Sequence, residues 1–163
     1  RGDRVWPRCS FNGTPGIEMV EAKPNIWQRR RARRALVQAL YKWHMTKADL
    51  DGILLEFEEG GGLSRADKAF FKEILSYAIE TNLELRSTIM TCLDREYDRL
   101  DFVEQAILEL ATTEFAQRLD VPYRVVIDEY VELAKTFGAQ DSYKYINGVL
   151  DKIWVDLRKA ESV

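Results

Sequence analysis

From Asn25 onward, apolar residues recur every three or four positions and polar residues fill the gaps. That spacing turns one side of a helix toward a core and the other toward water. The first stripe is Ala32, Leu36, Ala39, Leu40 and Trp43, and Asn25 ahead of it suits the N-cap. A short helix fits "ADLDGILLEFEE". "GGGLS" (60–64) breaks the chain, and Ser64 is expected to cap a helix with Phe70, Phe71, Ile74, Leu75 and Ala78 on one side. Another helix covers "LELRSTIMTCL", and "DREYDRLD" reads as a polar connection. Asp101 suits the cap of a helix whose Val103, Ile107, Leu110 and Ala111 face inward. Pro122 fits a first helical position and Gly138 a C′ position. Asp141 or Ser142 then caps a last helix with the stripe Ile146, Val149, Leu150, Ile153 and Leu157. No strand alternation and no internal repeat is found. The pattern predicts an all-α fold of about seven helices in two small bundles, divided at 94–101.

Residues 1–18 break this pattern. They hold two of the four prolines and three of the nine glycines, with no periodic apolar positions. They are expected to be disordered, and Met19 is an alternative start. The predicted organisation is a leader over 1–24, a helical domain over 25–157 (25–94 and 95–157) and a tail over 158–163.

Composition adds little until charge is located. With 46% hydrophobic and 31% charged residues, the 163-residue chain has a globular composition and room for one core. No apolar run is long enough to span a membrane. Cys9 and Cys92 do not make a disulfide framework, so a reducing cytoplasm is expected. The net charge is −3, yet five arginines occupy six positions from Arg29 to Arg34; without them it would be −8. A local cationic patch on an acidic body points to one anionic partner at one place.

On a helical wheel, Arg30 and Arg34 lie together away from the apolar stripe, with Tyr41 on the same side two turns later. Arg29 and Arg33 flank the stripe, and Arg31 lies further round. Guanidinium forks match phosphate oxygens, and a neighbouring aromatic offers a face to a base. A solvated face paired to nearby acids is the plainer reading of the same residues. "QDSYKYING" adds a second cluster at a helix start, with Lys144 beside Tyr143 and Tyr145. Core-edge packing is the ordinary role for such a tyrosine pair.

Enzyme readings find little support. His44 is the one histidine and has no neighbouring nucleophile in sequence, so a surface or packing role is expected. No Glu-x-x-His or phosphate-cradling glycine loop occurs, and Cys92 reads as a buried small hydrophobe. No metal or cofactor is expected.

"RRRARRALVQALYKW", "VEQAILELATTEF", "DVPYRVVIDEYVELAKTFG" and "DSYKYINGVLDKI" resemble the NusB family of bacterial transcription antitermination factors, in order and spacing, over roughly 20–155. A NusB-like domain also fronts some rRNA cytosine methyltransferases, whose catalytic domain has no counterpart here. The resemblance implies two helical subdomains and binding to boxA, a short single-stranded element of rRNA leader transcripts. It implies NusE, a small-subunit ribosomal protein, as partner, with other Nus factors and RNA polymerase reached indirectly. Carried onto this chain, it places RNA at Arg29, Arg30, Arg31 and Arg33, and at Asp141, Lys144 and Tyr145. It places the partner surface at Tyr41 and Glu104. The chain departs from the pattern at Arg34, where relatives often carry an acid, and at Tyr77, Tyr143 and Tyr145. A detached methyltransferase subunit and a self-associating structural protein, such as a homodimer, are the alternatives.

Overall fold

The computed structural model describes residues 25–159. The leader expected over 1–24, Cys9 and Met19 lie outside the described residues. Seven α-helices follow one another: α1 (Ile26–Thr46), α2 (Leu50–Glu59), α3 (Lys68–Glu80), α4 (Asn82–Met90), α5 (Phe102–Gln117), α6 (Tyr123–Phe137) and α7 (Ser142–Leu157). Among the described residues there are no strands. The fold is all-α.

The α5 helix organises the rest. Every residue from Gln105 to Phe115 is buried, because α1, α3, α4, α6 and α7 all pack on it. One core cluster therefore runs through the helices on both sides of the 94–101 connection. The expected inward residues Ile107, Leu110 and Ala111 are fully buried, while Val103 is half-buried at the helix start. The one-sided stripe misses Glu109 and Glu114, which are also fully buried. Buried carboxylates persist only when their oxygens find donors. His44 Nε2 and Asn82 Nδ2 each lie 2.8 Å from Glu109 Oε1, and the Tyr97 hydroxyl donates to Oε2. The supposedly polar connection thus hides a 3₁₀ turn, Tyr97–Arg99, whose tyrosine is a core residue.

Helix ends follow local chemistry with three corrections. Asn25 and Gln28 form a reciprocal capping box at α1, as do Asp101 and Glu104 at α5. The cap of α3 is Asp67 rather than Ser64. Its Oδ1 accepts from Phe70 N–H, and its own N–H reaches the Gln28 carbonyl, tying the start of α3 to α1. Gly138 is extended (φ −86°) rather than left-handed; a Cβ there would stand 2.7 Å from the Ala134 carbonyl oxygen, so close approach demands the glycine. The expected tail begins too early. Arg158 is buried and donates to the carbonyls of Glu114, Phe115, Arg118 and Val121. It closes the C-terminal end of α5, where carbonyls lack helical partners. No helix among the described residues is long and apolar enough to cross a membrane.

Candidate nucleic-acid interface

The structure separates the five arginines into two groups. Arg33 belongs to the core. It is 3% exposed, and its Nε and Nη2 donate to the two Glu114 oxygens at 2.7 and 2.9 Å. The Tyr130 hydroxyl also donates to Glu114, at 2.6 Å. Burial opposes the Arg33 charge, but the hydrogen bond and charge of Glu114 outweigh it and raise the guanidinium pKa. Burial, and then the neighbouring Glu114 charge, push the Tyr130 phenol well up. Arg29 is partly committed as well, lying over Phe70 at 4.3 Å and donating to Asp67 at 3.1 Å.

The other three share the outer face of α1. Arg30 is exposed, reaches Glu129 at 3.0 Å and lies 5.2 Å from the centre of the Trp27 ring. Arg31 and Arg34 are exposed and make no ion pair among the described residues; Arg34 lies over Phe137 at 5.2 Å. Trp27, Arg30, Arg31 and Arg34 line one side of a groove of about 520 Å³. Glu129, Glu132, Leu133 and Thr136 of α6 line the other. The first turn of α1 has no acidic residue. Positive side chains at the positive end of a helix dipole are unfavourable there, and an incoming anion relieves both.

The outer stripe of α1 continues past Arg34. Val37, Gln38 and Tyr41 border an apolar groove of about 240 Å³, closed by Val103 and Phe137. Tyr41 is 39% exposed and meets Phe102 edge to face, with ring centres 6.4 Å apart. Glu104 stands at the neighbouring start of α5, where it accepts from Asp101 N–H and from the Ser142 hydroxyl.

Two residues of the expected RNA site are less exposed than the others. Arg33 is 3% exposed, with Nε and Nη2 held by Glu114. Tyr145 is half-buried against the core, and Arg95 lies over its ring at 3.9 Å. Asp141 and Lys144 are both exposed at the start of α7 and face each other at 3.5 Å. Tyr143 turns the other way from Tyr145, as residues two apart on a helix must, and meets Lys135 of α6 at 5.0 Å. Its hollow and the arginine groove share Glu132. On the α1 wall, Arg34 and Trp27 are the groove residues that the resemblance does not supply. For Arg34 the helical wheel already carried the signal.

No cluster of three or more metal-binding side chains occurs among the described residues. What the surface offers is a cationic groove along one rigid helix, continued by an apolar one. That combination defines an all-helical protein whose first helix presents three guanidinium groups beside an apolar groove. The NusB family model matches residues 30–154. The NusB antitermination protein of Pseudomonas putida (strain W619) is 48% identical over 159 residues, 98% of this chain and 93% of that relative. The corresponding protein of Pseudoalteromonas atlantica is 47% identical over 133 residues, 82% of this chain and 95% of that relative. Among solved structures, NusB of T. maritima is similar with a TM-score of 0.72 and 30% identity, covering 82% of this chain and 96% of that one. A NusB chain solved in a complex of the antitermination factors NusB and NusE with double-stranded RNA gives 0.72 and 25%, covering 81% and 99%. The chain belongs to the NusB family.

Proposed function

We propose that this protein is a transcription antitermination factor that holds boxA-type RNA of rRNA leader transcripts in the α1–α6 groove while NusE docks beside Tyr41 and Glu104. It acts by binding, not by making or breaking bonds. Through NusE and the other Nus factors it joins the complex on RNA polymerase, which places its work in the bacterial cytoplasm. The observation that carries the reading is the exposed triad Arg30, Arg31 and Arg34 on one face of α1, two of them without an ionic partner among the described residues. The family relationship and the NusB–NusE–RNA complex support it. Arginines hold the backbone, and stacking and polar groups choose the bases.

The test is RNA affinity against salt for a boxA-type oligonucleotide. Changing Arg30, Arg31 and Arg34 together to Ala removes three phosphate partners, so the slope of log K on log salt should fall by roughly 2. An unchanged affinity and slope would move the RNA site elsewhere.

A further inference from the structure

We propose that Trp27 is a base-stacking residue, so that the arginine groove reads a nucleobase at its open end as well as phosphates; this rests on the RNA reading above. The described tryptophans are Trp27, Trp43 and Trp154. Trp43 and Trp154 pack against the core, and Trp154 also stacks on Tyr123 at 3.7 Å. Trp27 is 59% exposed, which forfeits the burial that an indole normally gains. It stands at i, i+3, i+4 and i+7 with Arg30, Arg31 and Arg34, so the ring and the three guanidinium groups share one helix face and one groove. Arg30 approaches the indole from one side at 5.2 Å and braces it. An exposed aromatic beside phosphate-matching cations is an arrangement that holds single-stranded nucleic acid, because every base has a face to stack. Tyr145 lies outside this groove, and Trp27 is the aromatic that lines it. Trp27 lies fourteen residues from Tyr41, about 21 Å along the helix axis, far from the surface proposed for NusE.

The test compares Trp27→Ala, Trp27→Leu and Trp27→Phe in the full chain, with a fluorescently labelled boxA-type oligonucleotide and, separately, NusE. Alanine is the best helix former, so circular dichroism should show α1 intact in Trp27→Ala. Loss of a stacked base predicts RNA binding weaker by roughly 5- to 150-fold for Ala and Leu, with Phe keeping most of the affinity. The salt slope should stay at the parent value, because no charge is lost. Indole emission quenched by RNA in the parent protein should lose that quenching in Trp27→Phe. Wild-type affinity in Trp27→Ala, with RNA binding still lost in the triple arginine variant, overturns stacking and leaves the RNA site standing. Leu performing as well as Phe overturns it in favour of a plain apolar contact. Loss of NusE binding instead of RNA binding makes Trp27 a protein contact. A parent protein that does not bind the oligonucleotide overturns both proposals.

Discussion

Arg31 and Arg33 are two positions apart and have opposite fates. Arg31 reaches solvent, whereas Arg33 is enclosed with Glu114 and Tyr130. Removing one member of a buried pair leaves the other charge without compensation, so Arg33→Ala should cost about 3–5 kcal/mol. Denaturant unfolding measures this. Arg31→Ala and Arg34→Ala should leave the unfolding midpoint within about 0.5 kcal/mol of the parent, as surface changes do. If Arg33→Ala unfolds like the parent, the guanidinium is not the core group described above. The wheel already set Arg30 and Arg34 apart from the apolar stripe and put Arg33 on its flank. The family pattern favoured Arg29, Arg30, Arg31 and Arg33 alike. Position on the wheel was the better guide to exposure, since it follows from helix geometry alone. The partner of Arg33 was not legible, because Glu114 lies 81 residues away in sequence.

At the scale of elements, α5 shows what periodicity can and cannot supply. Its apolar stripe and its Asp101 cap were readable, since both depend on neighbours within one or two turns. The roles of Glu109, Glu114 and Arg158 were not, since each is defined by a separate segment. Glu109 draws its partners from α1, α4 and the connection. Arg158 looked like the first residue of a tail and instead satisfies four carbonyls around the end of α5 and the turn after it. Each buried acceptor left without a donor costs about 1–3 kcal/mol, although water can reach some of them after truncation. Arg158→Ala should therefore destabilise by about 3 kcal/mol, and a chain ending at Leu157 by at least as much. Urea unfolding of the two variants checks this; parental stability in either would return Arg158 to the tail. The displaced cap at Asp67 has the same origin. Ser64 had the right chemistry, but the contacts of Asp67 with Gln28 and Arg29 come from α1 and leave no local trace.

For the whole molecule, the order and number of helices were legible, and so was the contrast between an acidic body and one basic patch. Room for one core was legible too; the part of Tyr97 in it was not, because the 94–101 connection reads as polar while its Tyr97 is buried. Two ligands proposed to bind along the same helix should affect each other. If NusE docks beside Tyr41 as proposed, it restricts the path of RNA leaving Arg34, and the two should bind with positive coupling of about 1–3 kcal/mol. Linkage requires that NusE tighten RNA by the factor by which RNA tightens NusE. Calorimetry on both edges of the cycle tests this, and equal RNA affinity with and without saturating NusE would sink it.

The capping box at Asn25 and the left-handed Lys47 bracket α1 as a single uninterrupted helix, with its inner face fixed in the core. A continuous helix transmits rotation as well as length. The angular phase between Trp27, Arg34 and Tyr41 is consequently set by residue count alone, at about 100° per residue. One extra alanine between Arg34 and Tyr41 would swing one end out of line by roughly a quarter turn while leaving every contacting side chain present. If RNA and NusE bind where proposed, the helix serves as a shaft that keys the angle of the nucleic-acid strand to that of the docked protein.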